Sequence, residues 1–287
     1  MKIGFIGLGI MGESMCENVL KKSGAEVYVY DINKEKVNKL VELGAIGAES
    51  VKEIGETCDR IITMVPKSEH VQAVIDELFP AIKTGTILIE MSTIDPKVSR
   101  KLAKKVSEKG SYMIDAPVVK SKPAAIAGEL GIYVGGNKEI FDTVKPILQL
   151  MGKDIIHMGD NGSGLVMKIS HNMLVAQIQN GVNEMLTLSE ASGLEFDDVV
   201  TAISYGGGQN FYLDSKKTTI KSGDFSPKFS IENMHKDIYL ALNLADEINV
   251  DIPGAENARN VYDKAMELGI NKEDFSATIK VVKKTQK

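Results

Sequence analysis

The run Lys2-Ile3-Gly4-Phe5-Ile6 reads as a short buried strand, and it passes at once into Gly7-Leu8-Gly9-Ile10-Met11-Gly12 and a helical pattern reaching about Lys22. A second strand pattern, Glu26-Val27-Tyr28-Val29-Tyr30, then ends in Asp31, 19 positions after Gly12. A strand, a glycine-rich turn, a helix, a strand and an acid about 20 residues on leave little freedom of fold. Gly7 permits the tight turn, Gly9 lets the backbone approach a pyrophosphate, and Gly12 lets helix pack on strand. The helix N-terminus then presents its partial positive charge to the phosphates. Asp31 can accept hydrogen bonds from ribose hydroxyls but would repel a 2′-phosphate, and Ile32-Asn33-Lys34 offers no arginine to hold one, so NAD is favoured over NADP.

Strand and helix patterns keep alternating through the first half. Arg60–Val65 and Thr86–Met91 read as strands, as do Tyr112–Asp115, Gly131–Val134 and Ile155–Met158; helices are expected at 33–43, 68–78, 96–109 and 137–150, and a loop from Ala116 to Leu130. Such alternation implies a doubly wound parallel sheet with ligands beyond the carboxyl ends of its strands, so the loops after Val65 and Met91 should border the cofactor. From Gly162 onward the pattern is helical only, with helices near 163–192, 196–204, 230–249, 254–268 and 275–284, and a flexible connection at Gly206-Gly207-Gly208. The expected class is therefore α/β, a Rossmann-type domain over residues 1–162 joined by a long helix to an all-α domain over 163–287 that can close over the nucleotide site.

On the long helix Lys168, His171 and Asn172 fall at i, i+3 and i+4 and project from one face, among apolar neighbours such as Val166, Met167 and Ile169. Ser163 is placed to cap that helix. A lysine, an imidazole and a carboxamide grouped in this way suggest a substrate cleft.

Net charge of −5 argues against nucleic acid or an anionic membrane as partner. Two scattered cysteines, Cys16 and Cys58, make no disulfide framework, and the four histidines lack ligand spacing, so no metal is expected. With a strand starting at Lys2 and no apolar run near 20 residues, the expectation is a cytoplasmic protein.

The motifs GFIGLGIMG (4–12), ITMVP (62–66), EMST (90–93), DAPV (115–118), GSGLVMK (162–168) and HKD (235–237) occur in one register, and together they resemble the β-hydroxyacid dehydrogenases, a family that includes 3-hydroxyisobutyrate dehydrogenases, tartronate semialdehyde reductases and sulfolactaldehyde reductases. The resemblance implies that Lys168 is the catalytic lysine and that Asn172 orients substrate. It implies that Gly7, Gly9, Ile10, Met11, Gly12, Asp31, Val65, Thr93 and Lys236 bind NAD, with Thr93 near the nicotinamide ribose. It further implies a homodimer or homotetramer. Lys168 would stabilise the negative charge developing on a carbonyl oxygen during reduction and deliver the proton. Imine reductases share this architecture but usually carry another acid at the lysine position, so Lys168 argues against them.

Many members continue DAPV with Ser-Gly-Gly, whereas here the chain reads Val119-Lys120-Ser121-Lys122. Sulfolactaldehyde reductases look similar at this point, with a basic residue where Lys120 stands. A lysine and a hydroxyl suit a sulfonate, whose three oxygens accept more contacts than a planar carboxylate. Lys120 and Ser121, with His171 and Asn172, are thus expected to bind a short aldehyde bearing a terminal anion. The resemblance points to 3-sulfolactaldehyde, reduced to 2,3-dihydroxypropane-1-sulfonate; the alternative is a carboxylate semialdehyde paired by Lys120.

Overall fold

The structure, a computed structural model, describes residues 1–284. Its chain separates into two compact units, Met1–Lys168 and Ile169 onward.

The first unit is built on a nine-stranded sheet. Its elements run β1 (Lys2–Ile6), α1 (Gly12–Lys22), β2 (Glu26–Tyr30), α2 (Lys34–Glu42), β3 (Ile46–Gly47), α3 (Val51–Thr57), β4 (Arg60–Thr63), α4 (Ser68–Leu78), β5 (Ile87–Glu90), α5 (Pro96–Ser107), β6 (Tyr112–Asp115), β7 (Val118–Val119), α6 (Lys122–Ala127), β8 (Leu130–Gly135), α7 (Lys138–Leu148) and β9 (Gly152–Gly159). In space the strands lie in the order β3-β2-β1-β4-β5-β6-β8-β7, with β9 on β8. The first six are parallel, and β8 runs antiparallel to β6 and β7. The order reverses beside β1, so a crevice opens at the carboxyl ends of β1 and β4.

The central strands β1, β4 and β5 are buried on both faces because helices cover both. Ile3, Phe5, Val27, Val29, Ile62 and Ile89 pack to one side, against Met15 and Val19 of α1 and Val144 of α7. Ile61, Leu88 and Met113 pack to the other, against Ile75 of α4 and Leu102 of α5. Sequence expectation and structure part company at short elements. The stretch expected to be a loop from Ala116 to Leu130 contains β7 and α6, the latter opened by Pro123 in its first turn and closed by Gly128 in the left-handed region (φ 72°).

Helix α8 (Ser163–Ala191) crosses from the first unit into the second, which continues with α9 (Phe196–Ile203), α10 (Phe211–Ser222), α11 (Ile231–Ile248), α12 (Pro253–Glu267), a 3₁₀ turn at Phe275–Thr278 and α13 (Ile279–Lys284). Its core gathers Leu186, Tyr212, Leu213, Ile231, Ile238, Tyr262 and Phe275. Helix α10 was not anticipated; it starts where Asn210 accepts from the Leu213 amide, and its core-facing residues Tyr212, Leu213, Lys216 and Ile220 include a lysine, which blurs the apolar period. Among the described residues no helix is long and apolar enough to cross a membrane.

Candidate functional site

At the carboxyl end of β1 the three glycines of the turn do different work. Gly7 sits at φ 96° and donates to the Tyr30 carbonyl (2.9 Å), and a Cβ there would meet the Met64 carbonyl oxygen at 2.3 Å. A Cβ on Gly12 would lie 2.1 Å from the Gly7 carbonyl oxygen. Gly12 is therefore required by the packing of the turn on itself, and Gly7 by its positive φ and its packing on the segment after β4. Around Gly9 nothing lies within 4 Å of an added Cβ, so its backbone faces open space. Helix α1 has Met11 at its cap position and no side-chain cap; the Glu13 amide donates back to the Gly9 carbonyl (3.0 Å), and the rest of its first turn is left to an anion or water.

Asp31 closes the other side of this turn. Its Oδ2 accepts from the Leu8 amide (2.6 Å) and its Oδ1 from the Asn33 amide (2.8 Å), so it fixes the shape of the glycine turn before any ligand arrives. Each carboxylate oxygen has a further lone pair for a ribose hydroxyl. Lys34, the nearest cation after Asp31, is taken up by Glu49 (3.7 Å) and the Tyr30 ring (5.6 Å). Across the crevice the Val65 amide donates to Ser92 Oγ (2.8 Å), which ties the loop after β4 to the loop carrying Thr93. An open glycine, helix amides without a side-chain cap and the Asp31 carboxylate beside them are groups that could hold a dinucleotide. The structure brings Gly7, Gly9, Gly12 and Asp31 into one turn, with Met11 half-buried and Ile10 exposed beside them.

Helix α8 begins above the end of β6 because Asp115 holds it there. Asp115 Oδ1 accepts from the Gly162 amide (2.6 Å) and Oδ2 from the Leu165 amide (3.0 Å), in the manner of a helix cap supplied by a distant strand. Ser163, expected as that cap, is the first helical residue. Gly135 and Gly164 pack so tightly on Asp115 that a Cβ on either would come within 2.9 Å of a carboxylate oxygen.

Two turns further, Lys168 and Asn172 are both buried, at 7% and 5% exposure, and one helical turn apart; His171 is half-buried. Asn172 Nδ2 donates to Asp237 Oδ2 (2.6 Å) on α11. An ionised carboxylate can only accept, so this contact fixes which end of the Asn172 amide carries nitrogen. Lys236 Nζ lies 3.2 Å from Asp237 Oδ1, an ion pair without hydrogen-bond alignment. Asp237 thus gathers Asn172 and Lys236. Sequence reasoning passed over it although it closes the HKD motif; an acid on an otherwise apolar helix face, at Met234, Asp237, Ile238 and Ala241, was the available signal.

Lys120 and Ser121 lie in the loop between β7 and α6. Lys120 holds φ 76°, a conformation costing an ordinary side chain about 1–2 kcal/mol. Its ammonium is exposed, donating to the Glu129 carbonyl (2.8 Å) and to Asp154 Oδ2 (2.9 Å). That hydrogen bond holds the Asp154 carboxyl below its ordinary range. Ser121 is half-buried just before α6. Among the described residues no three His, Cys, Asp or Glu side chains could hold a metal ion.

Two family models together match most of the chain: the NAD binding domain of 6-phosphogluconate dehydrogenase over residues 2–159, and the NAD-binding domain of NADP-dependent 3-hydroxyisobutyrate dehydrogenase over residues 162–282. The chain is 36% identical to 2-(hydroxymethyl)glutarate dehydrogenase of Eubacterium barkeri, covering 98% of this chain and 94% of that one. It is 34% identical to 3-sulfolactaldehyde reductase of Escherichia coli (strain K12), covering 98% and 95%. The structure superposes on Mycobacterium tuberculosis 3-hydroxyisobutyrate dehydrogenase with L-serine at a TM-score of 0.92, with 28% identity and 98% of both chains covered.

Proposed function

The chain belongs to the 3-hydroxyisobutyrate dehydrogenase-like family of NAD-dependent β-hydroxyacid dehydrogenases, which act on CH–OH, and we propose that within it this protein reduces a short aldehyde bearing a terminal anion, with 3-sulfolactaldehyde as substrate and 2,3-dihydroxypropane-1-sulfonate as product. The observation that carries the anion is Lys120. A lysine is kept at a left-handed backbone position that glycine fills without strain, and its ammonium is engaged only by exposed partners. An exposed ion pair of this kind adds little to stability, so the ammonium is free to exchange Asp154 for a substrate anion. Ser121 adds a hydroxyl donor beside it.

Lys168 is the group proposed to act on the reacting oxygen. Bound NADH supplies the hydride that reduces the carbonyl carbon. As negative charge builds on the oxygen, the Lys168 ammonium stabilises it and then gives up the proton that completes the alcohol. Burial at 7% exposure strengthens that interaction, because little water competes for the ammonium. Asn172, its amide locked by Asp237, orients the substrate from one helical turn away, and His171 adds a ring nitrogen at the same level of α8. Oxidation runs the same steps backwards, with neutral Lys168 taking the proton.

The position of Lys120 also fits a carboxylate, since its present partner Asp154 is one, and a semialdehyde of a carboxylic acid is the competing substrate. NADH oxidation with sulfolactaldehyde and tartronate semialdehyde, on wild type and Lys120→Ala, separates the two. Discrimination for the sulfonate by about 100-fold in kcat/KM, worth about 2.7 kcal/mol, is expected, and Lys120→Ala should abolish it. Preference for the carboxylate, or indifference to Lys120→Ala, would return the enzyme to the carboxylate semialdehydes.

A further inference from the structure

Two carboxylates are buried side by side at the carboxyl ends of neighbouring strands, Glu90 on β5 and its register partner Asp115 on β6, both at 0% exposure. They are served very differently. Both oxygens of Asp115 take backbone amides from the start of α8, and the positive end of that helix faces it. Glu90 receives the Ser92 amide (2.8 Å) and the Thr63 hydroxyl (3.2 Å) on Oε1 alone, and Oε2 has no hydrogen-bond partner among the described residues. The groups facing Glu90 are Asp115 from β6, the neutral Thr63 from β4 and the neutral Ser92 from the loop that follows its own strand. Arg100 of α5, whose helix packs on this face, donates instead to the Asn161 carbonyl (3.1 Å), and the first basic residue along α8 is Lys168. A buried carboxylate beside a second one, without a cation, favours its protonated form. Burial pushes the Glu90 carboxyl up to about 8, with the neighbouring Asp115 carboxylate adding a smaller push; burial raises the Asp115 carboxyl too, but there the backbone amides of Gly162, Leu165 and Gly164 favour the charged form.

Through Oε1, Glu90 also links the segments that border the cofactor. Thr63 ends β4, the Ser92 amide opens the loop to Thr93, and Ser92 Oγ in turn receives the Val65 amide. We propose that Glu90 is a positioning residue that works as a neutral acid: its proton keeps the Thr63–Val65 and Ser92–Thr93 segments in their cofactor-binding shape, and losing that proton sets a second charge against Asp115 and loosens them. The inference rests on NAD binding by this family and not on the choice of substrate.

The test measures NADH affinity by fluorescence from about pH 7 to about 9.5 for wild type, Glu90→Gln and Lys168→Met. Glutamine keeps the oxygen acceptor for Ser92 and Thr63 and has no proton to lose. Wild type should weaken by about tenfold across the range, Lys168→Met should weaken in parallel, and Glu90→Gln should hold constant. A second readout is the thermal midpoint of the cofactor-free protein. An acid whose folded pKa is raised contributes stability that is full below its unfolded value and is lost as pH climbs to the folded one. The midpoint of Glu90→Gln relative to wild type should therefore rise up to pH of about 8 and level off above it. If Glu90→Gln does not fold, the infrared band of a protonated carboxylic acid in wild type should titrate away over the same range. Glu90→Gln tracking the wild-type affinity, loss of the alkaline weakening in Lys168→Met, a difference in midpoint that is flat with pH, or no protonated band at neutral pH would each overturn the proposal.

Discussion

The two units bury their charge on different principles. In the sheet unit both buried carboxylates, Glu90 and Asp115, stand at the carboxyl ends of strands, where the sheet's own ladders leave amides and loops to be organised. In the helical unit, apart from the Asn172–Asp237 pair, the buried polar groups lie largely within the core. Asp274 is gripped by Lys216 (2.7 Å), Ser276 and the Lys228 and Phe229 amides, and Gln179 joins Tyr262, Thr278 and the Phe275 carbonyl. Strands satisfy their backbones with one another, so these two carboxylates are left to organise the segments beyond the strand ends, the Ser92 amide on Glu90 and the Gly162 amide on Asp115. Helices joined by long connections need side chains to pin those connections, so buried polarity there is largely architecture.

The sharpest way to break this contrast is Asp274→Ala. It strands the buried Lys216 ammonium, and unfolding in urea should show a loss of about 3–5 kcal/mol. Next come the glycines of the Gly7–Gly12 turn. Gly12→Ala forces a methyl onto the Gly7 carbonyl oxygen and should cost about 1–3 kcal/mol, while Gly9→Ala, entering open space, should leave the thermal midpoint unchanged and weaken NADH binding. If Gly9→Ala instead destabilises the fold and leaves NADH binding intact, the open face is not the phosphate site. The smallest effect is the reverse in sign: Lys120→Gly relieves the φ of 76° and should stabilise the protein by up to about 1 kcal/mol while losing discrimination between anions.

The same contrast explains what the sequence disclosed. Strands such as Ile87–Glu90 and Tyr112–Asp115, apolar on both faces, stand out without knowledge of their neighbours, and the Gly7–Gly12 turn with Asp31 carries its chemistry in its spacing. Helix α3 carried a signal that went unread: Ser50 accepts from the Glu53 amide while Glu53 reaches back to the Glu49 amide (2.8 Å), a variant of the capping box. Short length hid it. Lys168 and Asn172 were legible because helical spacing places them on one face, whereas the bond from Asn172 to Asp237 spans 65 residues and no local pattern encodes it. Nor could spacing show that Lys120 would occupy a left-handed position, because that follows from the chain path between β7 and α6.

The central claim is that Lys168 acts on the reacting oxygen and not as part of the scaffold. Single-turnover reduction at saturating NADH, compared between wild type and Lys168→Ala with NADH affinity measured on the same samples, tests it most directly. The rate of Lys168→Ala should fall by about 10²–10⁴-fold with NADH affinity and thermal midpoint unchanged. A rate within about tenfold of wild type, or a loss that merely follows weakened NADH binding, would contradict it.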